Sequence, residues 1–216
     1  MRTEGSGAVS AAPIAVRHAE ERDLARLTEI YNHYVLTTAI TFDLEPFSVE
    51  QRRAWLAKFA RTGPHRLFVA EEDGLVLGYA GTTSFRDRRA YDTTVETTIY
   101  CAPEATGRGI GTLLYRALFD ALAGEDLRLA IAGMTLPNDA SMALHERFGF
   151  TPAGVMHDVG RKFGRYWDVA WYEKALGSAN PRAAALPRGA LSTASSAPSA
   201  ARRRRIPDQE TPGLLR

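Results

Sequence analysis

The stretch Val95–Gly111 constrains the fold more than any other part of the chain. Its first half, Val95-Glu96-Thr97-Thr98-Ile99-Tyr100-Cys101, is β-branched, aromatic and apolar with one carboxylate set into it, the composition of a buried strand. Pro103 ends that strand, because proline cannot continue a ladder of sheet hydrogen bonds. Gly107, Gly109 and Gly111 follow at alternate positions, and Thr112 to Leu122 is rich in helix formers. A glycine turn that opens into a helix gathers unpaired backbone N–H groups at one spot, where the helix dipole favours an anion. Strand, turn and helix together predict a pyrophosphate seat beside an acid/base carboxylate.

The flanking segments predict an α+β fold with a largely antiparallel sheet. Ile14–Arg17 reads as a short strand, and Asp23 opens a helix whose apolar residues (Leu24, Leu27, Ile30, Tyr31, Tyr34, Val35) recur at helical spacing. Thr37–Phe42 is β-branched and predicts extended chain. Ser48 and Gln51 form a capping-box pattern for a second helix, with Gly63-Pro64 as its stop. Leu67–Glu71 and Leu75–Phe85 predict a hairpin around Glu72-Asp73-Gly74, and Gly78 and Gly81 point to a bulge or a close neighbour. Leu127–Met134 reads as a strand, and Asn138–Phe148 as a short helix closed by Gly149. Phe150–Val159 and Tyr166–Lys174 read as an antiparallel pair turning at Gly160–Gly164.

Charge separates the body from its ends. The net charge of the 216 residues is +2, yet residues 14–176 hold 19 Lys+Arg against 22 Asp+Glu, while residues 177–216 hold 7 Arg against 2 acids. The basic surplus belongs to the C-terminal segment, so nothing in the body calls for a nucleic-acid partner. Residues 1–12 and 177–216 are poor in periodic apolar positions and predict disordered ends around one domain, 13–176; the run Arg202–Arg205 reads as a solvated tail. The single cysteine, Cys101, cannot form an internal disulfide and reads as a small buried strand residue rather than a nucleophile. No apolar run has the length of a membrane span, and Met1–Ala12 lacks a signal-type apolar region, so no membrane contact and a cytoplasmic location are expected. No His/Cys cluster has metal-ligand spacing, so no metal is expected.

Three glycine loops compete for residues 107–111. A P-loop needs lysine between its last glycine and the Ser/Thr, and Gly111-Thr112 has none. A dinucleotide fold needs G-x-G-x-x-G in a parallel unit, whereas the spacing here is G-x-G-x-G between strands that read as antiparallel. Gly109-Ile110-Gly111 resembles the end of the acyl-coenzyme A loop of the GNAT N-acetyltransferases. Asn138-Asp139-Ala140-Ser141-Met142-Ala143-Leu144-His145-Glu146-Arg147-Phe148-Gly149-Phe150 resembles the second GNAT signature. Within that superfamily, Tyr91–Tyr100, Leu136-Pro137-Asn138-Asp139, Leu144-His145-Glu146, Asn32-His33-Tyr34, Thr41–Pro46 and Gly160–Val169 are similar to the phosphinothricin and methionine-sulfoximine acetyltransferases. The resemblance covers residues 14–176. One position departs from it: Thr106 stands where the loop usually carries Gln or Arg, which leaves Arg108 to supply charge.

The resemblance implies a three-layer, α/β/α-like acyl-CoA N-acyltransferase fold with a splayed central strand, acetyl-CoA as co-substrate, a small-molecule amine as acceptor and a homodimer. Acetyl transfer to an amine needs a base for the ammonium proton, a donor to the thioester oxygen and a proton for the leaving thiolate. Glu96 is the only acid in the central strand, and desolvation there raises its affinity for a proton; a solvent-facing edge glutamate is the competing reading. His145 stands where many GNAT enzymes place a tyrosine near the sulfur. Ile99, Tyr100, Cys101, Gly107, Arg108, Gly109, Ile110, Gly111, Thr112 and Asn138 are the implied cofactor-binding positions. The loop Arg86-Asp87-Arg88 offers guanidinium groups for an acceptor carboxylate, with Glu96, Thr97, Thr98, Phe42 and Tyr34 as further substrate-side candidates. Other amines (a polyamine, an aminoglycoside, a protein N-terminus) and a non-catalytic acyl-CoA sensor are the alternatives.

Overall fold

The computed structural model describes residues 13–177. The readings of residues 1–12 and of the tail beyond Gly177 lie outside them. Seven strands and four α-helices alternate in the order β1 (Ala15–His18), α1 (Leu24–Thr37), α2 (Val49–Leu56), β2 (Leu67–Glu72), β3 (Leu75–Ser84), β4 (Thr94–Cys101), α3 (Ile110–Leu122), β5 (Leu129–Thr135), α4 (Asp139–Arg147), β6 (Thr151–Lys162) and β7 (Arg165–Ala175). The sheet order is β1-β2-β3-β4-β5-β7-β6, antiparallel at every junction except β4–β5.

That parallel junction is short. Thr94 pairs with Leu129, Val95 with Ala130 and Glu96 with Ile131, and there the two strands part. Beyond it β4 stays with β3 as far as Cys101↔Gly78, and β5 stays with β7 as far as Thr135↔Val169. The Thr97 hydroxyl donates to the Ile131 carbonyl at 3.2 Å, satisfying a backbone acceptor at the fork. The result is a V-shaped opening in the middle of the sheet.

Each helix is placed by the stripe it buries. α1 buries Leu24, Leu27, Ile30 and Val35, and α3 buries Ile110, Leu114, Tyr115, Leu118 and Leu122. Successive β4 side chains point to opposite faces: Tyr100 meets Tyr31 of α1 edge-on and Tyr34 at a tilt, while Thr97 meets Tyr115 of α3. The α1–α2 side and the α3–α4 side therefore form the outer layers. The Ser48/Gln51 capping box forms as expected and starts α2. Asp73 and Gly74 both have positive φ (51° and 81°), the turn that the Asp-Gly pair favours between β2 and β3. Gly78 supplies close approach: a Cβ there would lie 2.9 Å from the Tyr100 carbonyl oxygen.

Three local expectations are corrected. Thr37–Phe42 is not extended; α1 runs through Thr37, and the Thr38 and Thr41 hydroxyls capture neighbouring backbone groups (Ile40 N–H, Asp43 N–H) and fold the chain into bends. α2 stops at Leu56, well before Gly63-Pro64, because Lys58 and Phe59 bond back three residues and tighten the last turn. β6 runs through Gly160 to Lys162, and the turn is Phe163-Gly164 with φ of 51° and 76°. Gly160 instead makes room for the Phe42 ring, which a Cβ there would meet at 2.3 Å.

Candidate active site

The fork between β4 and β5 opens into a cleft of about 150 Å³. Glu96 lines it together with the β4 residues Thr97 to Tyr100, Gly133 and Met134 from β5, and Asn138, Ser141 and His145 from the α4 segment. Glu96 is half-buried at the position where the strands separate. Burial pushes its carboxyl group up from the ordinary 4.5, and the charge of Arg86 opposes that push. A base of raised pKa, central in the sheet and open to a cleft, is suited to take a proton from an amine.

On the opposite wall His145 is 2% exposed and fully engaged. Its Nδ1 lies 2.7 Å from the Ser141 carbonyl oxygen, which only accepts, so Nδ1 carries the proton. Nε2 therefore accepts from the Tyr115 hydroxyl at 2.7 Å. Burial lowers the His145 pKa, against a smaller opposite effect of the Ser141 carbonyl, so the ring is neutral. Burial raises the Tyr115 phenol far above its ordinary value, keeping it protonated. Both side chains line the cleft, and Tyr115 holds the mobile hydroxyl proton.

At the outer end of the fork lies the glycine turn. Gly107 and Gly109 have φ of 76° and 78°, and no atom lies within 4 Å of a Cβ built on either. The N–H groups of Gly107, Arg108, Gly109 and Ile110 have no hydrogen-bond partner among the described residues. Gly111 lets α3 pack tightly, since a Cβ would lie 2.9 Å from Leu144 Cδ2. The turn is thus a cradle of donors at a helix N-terminus, shaped for a phosphate group. Among the described residues no group of His, Cys, Asp and Glu is arranged to hold a metal ion.

The profile of the acetyltransferase (GNAT) domain matches residues 16–171. The chain belongs to the GNAT acetyltransferase family. A phosphinothricin N-acetyltransferase of Streptomyces coelicolor is 58% identical over 167 residues, 76% of this chain and 98% of that protein. An L-methionine sulfoximine/L-methionine sulfone acetyltransferase of Salmonella typhimurium is 37% identical over 166 residues, 76% of this chain and 95% of that protein. Among solved structures, a GNAT superfamily phosphinothricin acetyltransferase from Sinorhizobium meliloti in complex with AcCoA is 36% identical, with a TM-score of 0.69 over 76% of this chain and 89% of that one.

Within this GNAT frame the predicted residues divide by position. Glu96, Thr97, Thr98, Ile99, Tyr100, Asn138 and His145 come together around the cleft. Asn138 also caps α4, accepting the Ser141 N–H at 3.3 Å. Cys101 lies at the end of β4, half-buried, and burial pushes its thiol up to about 11, too high for a nucleophile at neutral pH. Ile110 is a core side chain, so only its N–H is available to a ligand. Arg108 is held by both carboxylate oxygens of Glu72, at 2.7 and 2.9 Å, and Thr112 accepts from Arg147 at 3.1 Å. Arg86 lies over the Phe85 ring and near enough to Glu96 to affect it; Asp87 and Arg88 are exposed in the same loop. Phe42 and Tyr34 line neither the cleft nor the cavity beside it: Phe42 packs on Gly160, and the Tyr34 hydroxyl donates to the Cys101 carbonyl at 2.6 Å.

Two groups of residues were not legible as site residues. Tyr115 reads as one more apolar position of α3, and only the fold shows that its hydroxyl meets His145. A second cavity of about 270 Å³ lies on the α1–α2 side, lined by Tyr31, Asp43, Phe47, Gln51, Arg52, Trp55, Tyr79, Thr98 and Tyr100. Arg52 sits in a helix of mixed polarity and carries no motif; its burial, 6% exposed, is the signal, and sequence does not show it.

Proposed function

We propose that the protein transfers the acetyl group of acetyl-CoA to the α-amine of a small amino-acid-like acceptor of the phosphinothricin, methionine sulfoximine or methionine sulfone class. The observation that carries this reading is the fork itself. A half-buried carboxylate stands where β5 leaves β4, the edge of β4 beyond it is unpaired, and β4 leads on to a turn whose N–H groups have no partner among the described residues. The relatives named above support the acceptor class.

Acetyl-CoA lies in the fork with its pyrophosphate on the Gly107–Gly111 turn, and its pantetheine arm follows the open edge of β4. Arg108 reaches the phosphates by leaving Glu72, and the backbone compensates for Thr106. The acceptor enters from the Glu96 side, its carboxylate held by Arg86 and the Asp87–Arg88 loop. Glu96 takes one proton from the ammonium, directly or through water, and frees the nitrogen lone pair. That nitrogen attacks the thioester carbonyl carbon, and a β4 backbone N–H near Ile99 stabilises the developing oxyanion. As the tetrahedral intermediate collapses, the C–S bond breaks and the nitrogen loses its second proton to water, leaving the amide. The Tyr115 hydroxyl, positioned by His145, turns its proton from His145 Nε2 to the thiolate and regains one from water. With Cys101 held as a thiol, transfer is direct in a ternary complex.

The test is thiol release from acetyl-CoA in the presence of an acceptor panel. Turnover with methionine sulfoximine, methionine sulfone or phosphinothricin is the expected result. Coenzyme A binding without turnover on any of the three would overturn the acceptor class. Turnover on polyamines or aminoglycosides instead would favour the other amine readings.

The same proposal includes a cytoplasmic location, a role in resistance to such toxic amino-acid analogues, and a homodimer. The lone cysteine supports the first. The long outer strand β6 and its turn support the third, with Met156 50% and Phe163 58% exposed. Light scattering of the purified protein tests it; a monomer at micromolar concentration would refute it.

A further inference from the structure

The second cavity contains a charge that has no counter-charge in contact among the described residues. Arg52 is buried, its guanidinium carbon 3.6 Å from the Trp55 ring centre and 4.4 Å from that of Tyr31. Its one acceptor among the described residues is the Tyr79 hydroxyl at 3.5 Å, the outer limit of a hydrogen bond, and its Nε has none. A guanidinium offers five donors, and burying it without acceptors is costly. Aromatic faces stabilise the cation but accept no conventional hydrogen bonds. Such an arrangement suits a site that a ligand completes.

The position of the cavity says which part of the ligand arrives there. Thr98 and Tyr100 line both this cavity and the Glu96 cleft, so the two spaces share a wall. Glu96 and Thr98 project from the same face of β4, one same-face step apart, ~7 Å. An acceptor whose amine lies at Glu96 reaches that far with a side chain of amino-acid size. Asp43 also lines the cavity, its carboxylate accepting the Tyr31 hydroxyl. A fully anionic group beside Arg52 would face that carboxylate, whereas a neutral dipolar group would not be repelled by it.

We propose that Arg52 is a specificity-determining residue: its guanidinium binds the oxo group at the end of the acceptor side chain, and the Arg52–Asp43 pair of opposite charges selects a neutral sulfone or sulfoximine over an anionic phosphinate. This inference rests on the amino-acid acceptor reading above.

Methionine sulfone and methionine differ only in the two sulfone oxygens, so their kcat/KM ratio tests the inference on the wild-type protein. A preference for the sulfone of at least ~100-fold is expected, since a site built to hydrogen-bond a group discriminates strongly against its absence. In Arg52→Met the ratio collapses to within ~10-fold of unity, chiefly through a higher KM for the sulfone. In Asp43→Asn the kcat/KM of phosphinothricin relative to methionine sulfone rises. Equal use of sulfone and methionine by the wild type overturns the Arg52 proposal while leaving the acceptor class intact. An Arg52→Met variant that slows both acceptors in proportion also overturns it, because a packing role predicts that result. Acetylation of no amino acid at all overturns both readings.

Discussion

The Tyr115 hydroxyl and His145 Nε2 meet at 2.7 Å across the α3–α4 interface, inside the wall of the cleft. The two residues act as a unit, since His145 has no other free nitrogen and Tyr115 no shorter hydrogen bond. Tyr115→Phe leaves a buried ring nitrogen without its donor. The expected cost is ~1–3 kcal/mol of stability, read by urea denaturation. A loss in kcat of ~100-fold or more, with acetyl-CoA affinity nearly unchanged, is expected if this hydroxyl protonates the thiolate. Wild-type turnover in the Phe variant would remove Tyr115 from the proton path.

Glu96→Gln should lower kcat by ~10²–10⁴-fold and leave acetyl-CoA affinity in place, because the amide cannot accept the ammonium proton. The same change should raise Tm at pH 8. Burial lifts the Glu96 pKa above its unfolded 4.5, so the folded state binds the extra proton and its advantage fades as pH rises. At pH 8 the ionised group is a burden that glutamine lacks. Differential scanning calorimetry of both proteins checks the sign.

The rate should rise with pH through the elevated Glu96 pKa. Arg86 holds that pKa down, so Arg86→Ala moves the ascending limb of kcat/KM to higher pH. It should also raise KM for acceptors with a carboxylate. A pH–rate profile that does not move would show that Glu96 does not feel this arginine during turnover.

Acid should loosen the fold through two histidines, one buried and one half-buried. Burial lowers the pKa of His145 and of His18, with Arg61 and Arg66 adding to the effect at His18. Their stabilisation is complete above the unfolded value of 6.5 and is lost as pH falls from there towards the lowered folded values. Urea midpoints measured from pH 7.5 to 5 should fall, and His145→Gln should flatten the slope.

Two glycines should respond differently to alanine. At Gly78 the new methyl would lie 2.9 Å from the Tyr100 carbonyl oxygen and 3.1 Å from the Cys101 Cα, both backbone, so the strands must separate. A loss of ~1–3 kcal/mol is expected. At Gly107 there is open space but φ is +76°, so the cost is backbone strain, ~1–2 kcal/mol, together with weaker acetyl-CoA binding. Calorimetry and isothermal titration separate the two effects.

Much of the architecture is legible in residue patterns that act locally. The Ser48/Gln51 box, the Asp73-Gly74 turn and the β4–turn–α3 unit each contain their own instructions, and the structure carries all three. Thr37–Phe42 misleads because β-branched threonines favour strands only where their hydroxyls do not bond the backbone first, as Thr38 and Thr41 do. Within the site, Glu96 and the glycine turn stand out because a charge in a strand and alternate glycines are rare locally. Tyr115 and Arg52 do not stand out, because their roles arise from burial and from partners 30 and 27 residues away. Phe42 shows the converse: an aromatic that reads as a substrate wall packs instead against a glycine of β6.

The fork at Glu96–Ile131 leaves the seven-stranded sheet unfinished at its centre. Amides along the open edge of β4 should exchange with deuterium sooner than those of the closed β3–β4 seam. If acetyl-CoA supplies the missing hydrogen bonds, it behaves as a removable strand. The melting temperature then becomes a gauge of the surrounding acetyl-CoA concentration, and a protein short of it is also easier to unfold and degrade.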